Sequence, residues 1–285
     1  MKKFFIVGFI LFTICFVAAT LTWFNVDKTH FKENKYHKPL DSHISKLSIN
    51  LKDDIHTTTI IKEGKHFSID YQGRRYVDVT KEKSEVSVKE KVNRKDTYGM
   101  NFNPFKRNDN CLVVTIPKQV NSNLEISNIS GKIHFKNVHL NKVKLIPNTK
   151  AITYLAIDSS IINELRYSNE ISNVNIQNSR ILGGRIKVDS GEFNLEDTLL
   201  KNVALINHKD DITLKNMQPI CNFKASSDES DININYRSKP KNVALKLNPV
   251  YGKEHITNPN FKDYRIGNGK NQIELYTYYG DINVK

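Results

Sequence analysis

The sequence predicts an all-β protein, a β-solenoid of about 20-residue two-strand coils, preceded by a single N-terminal transmembrane helix. Three observations predict it. Positions 4–24 carry no charged residue. From position 44 onward apolar and polar residues alternate with period two, the signature of half-buried strands. From position 111 a triplet of apolar, any, apolar and then a polar turn residue two places on recurs at steps of 22, 19, 19, 19 and 20 residues. The chain has 285 residues, 39% of them apolar and 26% charged, which excludes collagen-like and low-complexity chains. Three cysteines exclude a disulfide-dense scaffold.

The N-terminal segment comes first. Met1, Lys2 and Lys3 precede the apolar run, and 21 residues of helix span about 31 Å, the thickness of a bilayer core. Phe4 opens the run, and Trp23 and Phe24 close it, where aromatic rings suit the membrane interface. Lys2 and Lys3 direct the N-terminus to the cytoplasm, so everything after Phe24 is expected outside. The run continues beyond Val17-Ala18-Ala19, a small-residue cleavage site before Thr20. The expectation is therefore a single-pass signal anchor over 1–24, with secretion after cleavage as the alternative. Cys15 reads as lipid-facing, because Phe12-Thr13-Ile14 lacks the small residue that lipid attachment requires.

Residues 25–43 are polar, without an apolar period, and read as a linker. Their His30, His37 and His43 have no metal-ligand spacing and read as solvated. Residues 44–110 read as an N-terminal β-strand region. Leu47-Ser48-Ile49-Asn50-Leu51, Phe67-Ser68-Ile69-Asp70-Tyr71, Tyr76-Val77-Asp78-Val79 and Val86-Ser87-Val88 alternate, and residues 93–110 read as a joining loop. No sustained 3.6-residue period occurs after the first segment, which excludes scaffolds of alternating strands and helices.

Residues 111–285 carry the repeat. The units are Ile133-Phe135-Asn137, Leu155-Ile157-Ser159, Val174-Ile176-Asn178, Phe193-Leu195-Asp197 and Ile212-Leu214-Asn216, continued by Ile232-Ile234 with Tyr236 in the turn place. A second apolar pair falls between units: Leu124-Ile126, Val143-Leu145, Leu165-Tyr167, Ile186-Val188, Val203-Leu205, Cys221-Phe223 and Val243-Leu245. One unit cannot bury its apolar face alone. Stacked units share a core, each strand pairing with its equivalent one coil away at about 4.8 Å. Asn, Asp and Ser suit the turns, because they tolerate left-handed backbone.

Three stretches resemble a bacterial family of adhesin-like β-strand-repeat proteins of unknown function. Leu112-Val113-Val114-Thr115-Ile116-Pro117 resembles its strand-then-proline opening. Ser130-Gly131-Lys132-Ile133 and Ser190-Gly191-Glu192-Phe193 resemble its Ser-Gly-Asp-Ile turn. Gly267-Asn268-Gly269 and Thr277-Tyr278-Tyr279-Gly280-Asp281-Ile282 resemble its last repeat. The resemblance covers roughly residues 44–285. It departs at Lys209-Asp210-Asp211-Ile212 and Glu229-Ser230-Asp231-Ile232, where the glycine is missing and another turn type or another residue at positive φ is required. The resemblance implies an extracytoplasmic, membrane-anchored envelope protein, with some relatives in envelope stress responses, and brings no catalytic residues.

Nucleophile, zinc and phosphate-loop motifs are absent from the sequence, so no enzyme and no cofactor is expected. Cys111 and Cys221 lie in apolar strand positions and read as buried free thiols. Asp189, Glu192, Asp210, Asp211, Asp228, Glu229 and Asp231 fall at the same turn of successive units. Asp210, Asp211, Asp228, Glu229 and Asp231 form a candidate calcium site by oxygen density, against the reading of a solvated acidic row. The net charge is +13, from 43 Lys and Arg and 30 Asp and Glu, and it is diffuse. Nucleic-acid binders concentrate charge beside aromatic platforms, so no nucleic acid is expected. Anionic wall polymers or lipid headgroups are the expected partners, with Arg237, Lys239 and Lys241 as candidate contacts. A membrane protein partner is also expected if the chain signals, since only Met1 to Lys3 lie inside. The functional expectation is an adhesin-like binding or structural module of the cell envelope. An accessory of an envelope stress response and, behind it, a carbohydrate-active enzyme are the alternatives.

Overall fold

The computed structural model describes residues 2–22, 24–25, 34–40, 46–50, 57–73, 76–91, 110–118, 123–129, 131–147, 152–261 and 263–285. Among them α1 (Lys2–Thr22) is the sole α-helix, and no residue of it is buried. Its threonine hydroxyls are satisfied within the helix. Thr13, Thr20 and Thr22 donate to the carbonyls of Phe9, Phe16 and Ala18 at 2.8, 2.7 and 2.9 Å. This leaves no hydroxyl needing water along an otherwise apolar cylinder.

The remaining elements are strands. The first seven are β1 (Asn34–Leu40), β2 (Lys46–Asn50), β3 (Thr57–Gly64), β4 (Phe67–Gly73), β5 (Tyr76–Glu82), β6 (Glu85–Lys91) and β7 (Asn110–Pro117). The regular part follows with β8 (Asn123–Ile129), β9 (Gly131–Lys136), β10 (His139–Pro147), β11 (Thr153–Asp158), β12 (Ile161–Gln177), β13 (Arg180–Ile181), β14 (Gly184–Ser190), β15 (Phe193–Glu196), β16 (Leu199–Asn207) and β17 (Ile212–Met217). The C-terminal end comprises β18 (Asn222–Ser227), β19 (Ile232–Tyr236), β20 (Val243–Pro249), β21 (Glu254–Ile256), β22 (Asn271–Thr277) and β23 (Ile282–Val284).

These strands build two long sheets facing each other across one core, a flattened β-solenoid. The first sheet runs β5, β6, β2, β8, β10, β12, β14, β16, β18, β22, β20. The second runs β1, β4, β7, β3, β9, β11, β12, β15, β17, β19, β23, β21. Strand β12 serves both, its first half in one sheet and its second half in the other. The inward residues are the predicted ones: Ile133, Leu155, Val174, Phe193, Ile212 and Ile232 stack as register partners and are at most 1% exposed. Each coil thus buries its apolar pair against the coils above and below.

The turn column follows the residue chemistry. Asn137, Ser159, Asn178, Asp197 and Asn216 all have φ between 49° and 51°, the left-handed region that Asn and Asp tolerate best. Tyr236, the sixth occupant, lies outside that set, and a register shift between Leu214 and Met217 absorbs the difference. Behind this column a buried hydroxyl ladder closes the corner. The Ser160 N–H donates to Ser179 Oγ at 3.1 Å, and Ser179 Oγ and Thr198 Oγ1 donate to the carbonyls of Gln177 and Glu196.

Four expectations are refined. First, Asn34–Leu40, inside the expected polar linker, form edge strand β1, antiparallel to β4. Pro39 is tolerated because β1 has no outer neighbour among the described residues, and its lysines discourage a further strand. Second, the second apolar column is offset. Leu165 faces Gly184 rather than Ile186, and Val203 faces Phe223 rather than Cys221. Gly184 is required there: its φ is +121°, and a Cβ would lie 1.9 Å from the Leu165 carbonyl oxygen. Third, the glycine-free turns at 209–212 and 229–232 use no positive φ. They are held from inside by buried Asn207, whose amide donates to Gly191 O and Asp210 O at 2.8 and 2.7 Å, and by Ser227 Oγ, which accepts from Ser230 N.

Fourth, chain order and stacking order part company at both ends. β22 and β23 insert between the β18–β19 coil and the β20–β21 coil. At the other end β6 and β7 stack outside β2 and β3, which themselves pair in parallel with β8 and β9. Strands on either side of residue 110 therefore share one stack. The reversed strands β4 and β5 close the N-terminal end. At the other end residues 264–266 pair with β20, through Leu245 N to Tyr264 O and Ile266 N to Val243 O, both 2.8 Å. The outer edge of β20 is thus blunted against edge-to-edge association. The expected loop at 93–110 lies outside the described residues apart from Asn110.

Candidate functional site

The turn joining the first sheet to the second carries the acidic row. Asp211, Asp231 and Asp281 precede register-paired Ile212, Ile232 and Ile282, so they stand one above another. Each carboxylate accepts the backbone N–H of the next coil: Asp211 from Asp231 at 3.1 Å, Asp231 from Asp281 at 2.8 Å, and Asp281 from Lys253 at 2.8 Å. Asn173 does the same for the Glu192 N–H at 3.0 Å. That N–H bond from Lys253 holds the Asp281 carboxyl below the usual range. Asp210 accepts from Gly191 N at 2.7 Å and from Ser190 Oγ at 3.1 Å. Asp228 pairs with His208, whose other ring nitrogen lies 3.5 Å from Asp189.

The five candidate calcium ligands are therefore spread along this ladder. Among the described residues no group of three or more Asp, Glu, His or Cys side chains converges on a point. The physical reason is stacking: equivalent carboxylates repeat along the axis and spend their lone pairs on N–H groups of the neighbouring coil. Glu192, Asn194, Asp210, Asp211 and Ser230 border a shallow acidic depression of about 380 Å³.

The expected cationic loop is exposed at Arg237, Lys239 and Lys241. Arg237 reaches Asp197 at 3.7 Å, while the Lys241 backbone ties the loop down by donating to Pro219 O at 2.7 Å. Of the expected membrane residues, Phe4 and Phe24 are 86% and 53% exposed, and Trp23 lies outside the described residues. Cys111 and Cys221 are free thiols; Cys221 is buried as expected, but Cys111, at an outward position of β7, is only half-buried. Cys111 lies on β7 and Cys221 just before β18, seven coils away in the stack, or roughly 34 Å at the strand spacing, far beyond bridging range. Cys221 is buried beneath the Thr198 carbonyl, and burial pushes its thiol up to about 11. Cys15, on α1, is exposed.

The outward residues of the two sheets differ in charge. On the first sheet Lys144, Arg166 and Arg185 are register neighbours, with Lys187 two residues along β14. With Glu164, Gly184 and the edges of Leu145 and Tyr167 they border an open cavity of about 710 Å³. On the second sheet the same three coils present Tyr154, Ala156 and Asp158, then Asn173, Asn175 and Gln177, then Glu192, Asn194 and Glu196. The first-sheet cations were not singled out by the sequence reading. Their signal was available, because Lys144, Arg166 and Arg185 are separated by the repeat steps of 22 and 19 residues.

Comparison with known proteins adds the following. The fold matches a solved structure of a candidate adhesin from Bacteroides fragilis, with a TM-score of 0.52 and 12% identity, covering 89% of this chain and 97% of that one. A candidate cell adhesion protein from Clostridium sporogenes is also similar, at 12% identity, with 89% of this chain and 99% of that one covered and a TM-score of 0.30. No curated protein matches the chain. Among the described residues one helix, α1, is long and apolar enough to cross a membrane, and it stands near the N-terminus, where an anchor and a secretion signal share these properties. The stacked strands, the turn chemistry and the terminal repeat fall within one matched region, residues 44–285, and the chain belongs to the Toastrack DUF4097 family.

Proposed function

We propose that this chain is an envelope protein held in the membrane by α1, with its Toastrack domain on the outer side as an adhesin-like binding or structural module for anionic surfaces. The observation that carries the reading is the pairing of an apolar helix with no buried residue and a rigid, two-faced β-solenoid. A solenoid of stacked coils is stiff along its axis and displays side chains at regular spacing, which suits many-point attachment. In this reading residues 1–24 anchor, the segment between them and β1 connects, and β1 together with residues 44–110 and 111–285 makes up the exported part. Binding rather than turnover is supported by the acidic row, whose oxygens accept backbone N–H groups instead of converging on a substrate position.

The reading is tested on whole cells freed of their wall. Added protease should degrade the chain after Phe24 while α1 stays in the membrane fraction. A soluble mature chain beginning at Thr20 would refute the anchor. The chain should also adhere to purified cell walls at low salt and be released near 1 M salt, where the Debye length shrinks to about 3 Å from about 8 Å at physiological strength. Failure to bind walls at low salt would refute the anionic-surface reading.

A further inference from the structure

We propose that the first-sheet trough around Arg185 is the binding site for a phosphodiester polymer strand lying along the solenoid axis. This rests on the anionic-surface reading above and assigns it a place. Lys144, Arg166 and Arg185 occupy one register row on β10, β12 and β14, so their stems are spaced about 4.8 Å apart. Like charges side by side on one sheet face repel and cost stability.

The neighbouring acids offset the row only in part. Lys144 lies 3.4 Å from Glu125, Arg166 lies 2.5 Å from Glu164, and Lys187 lies 3.2 Å from Asp189. Glu164 is shared with Lys142 at 3.6 Å. Arg185 is exposed and carries no ion pair among the described residues. A planar guanidinium with all its donors free fits a phosphate oxygen pair.

Gly184, just before Arg185, borders the trough, and it carries no side chain because a Cβ there would strike the Leu165 carbonyl at 1.9 Å. With Lys144, Arg166, Arg185 and Lys187 it borders the open cavity of about 710 Å³. A strand fits this shape better than a bilayer does. The cations follow the axis inside a concavity, and the large apolar side chains that line it, Leu145 and Tyr167, are buried, leaving nothing to insert among lipids. The opposite face carries no cation on the same coils, and its flanking Lys132, Lys136 and Lys215 lie beside Tyr154, Asp158 and Glu196 rather than in a row of cations. A polymer bearing phosphates every few ångströms would release counterions from several contacts at once.

The test uses the full chain in phosphatidylcholine nanodiscs and fluorescent poly(glycerol phosphate) as probe, titrated at several salt concentrations. The triple variant Lys144→Gln, Arg166→Gln, Arg185→Gln should lose at least about tenfold in affinity, with the log–log salt slope reduced by roughly 2 to 3. The matched triple Lys132→Gln, Lys136→Gln, Lys215→Gln removes the same charge from the opposite face and should change affinity less than about threefold by the same counterion argument. Arg185→Glu alone, at an exposed unpaired position, tests the site without threatening the fold and should weaken binding more than Lys132→Glu. Equal losses from the two triples would overturn the trough while leaving the anionic-surface reading intact. Binding to phosphatidylglycerol nanodiscs but not to the polymer would replace the strand with a lipid surface. A wild-type chain that binds neither would remove both readings.

Discussion

Phe193→Ala tests the register on which the whole architecture rests. Phe193 is 0% exposed and lies between Val174 and Ile212, its register partners in the adjacent coils. Removing the ring takes roughly 100 Å² of buried apolar surface from the core, worth about 2.5 kcal/mol at 25 cal/mol per Å². The ring also leaves a void that stacked coils on both sides prevent from collapsing, so the total cost should be about 3–5 kcal/mol. Its neighbour Asn194 points outward, donating to Glu192 Oε2 at 3.1 Å, and Asn194→Ala should stay within roughly 0.5 kcal/mol. The assay is urea unfolding of the full chain in mild detergent, followed by far-UV circular dichroism, since the one Trp of the sequence is Trp23 rather than a solenoid residue. Stacked repeats need not unfold in one step, so the midpoint shift of the first transition is the quantity compared. Equal shifts for the two variants would refute the inward register.

Two further outcomes follow from side-chain chemistry. Asp231→Asn keeps an oxygen for the Asp281 N–H and should leave the unfolding midpoint nearly unchanged, whereas Asp231→Ala should cost about 1 kcal/mol; if both cost the same, the ladder is a matter of charge rather than of N–H capping. Burial raises the Cys221 thiol to about 11 in the fold, above its unfolded value. Its stabilising contribution is then full below about pH 8.5 and is lost as pH rises through 11, on the order of 1–3 kcal/mol in all. Cys221→Ala should reduce that alkaline arm of stability, to which buried Tyr167 and Tyr236 also contribute. In a Cys15→Ser, Cys111→Ser background a thiol reagent should reach Cys221 only after unfolding. An unchanged arm, or fast labelling of Cys221 in that native variant, would contradict the burial.

The candidate acidic site shows where sequence reasoning was sound and where it stopped. Asp210, Asp211, Asp228, Glu229 and Asp231 do recur at one turn, as their spacing implies. What their oxygens do was not legible, because a carboxylate that binds a cation and one that caps an N–H of the next coil have the same sequence. Only the position of the neighbouring backbone distinguishes them, as at Asp211 and Asp231. The cationic trough escaped notice for a related reason. The net charge of a chain is blind to faces, whereas stacking sorts charge by the face each residue takes in the pleat.

By itself the sequence determined the apolar helix, the all-β class, the inward column through Phe193 and the left-handed turns at Asn137, Asn178 and Asn216. Each depends on a local property: period-two patterning, coil length, or the tolerance of Asn for positive φ. Tertiary structure alone decided the order of coils at the two ends, the slip that places Gly184 against Leu165, and the strand formed by Asn34–Leu40. These depend on which distant strand offers a free edge. The same backbone donors and acceptors serve any partner strand, so the choice is made by the packing of the whole stack and leaves no local trace in the chain.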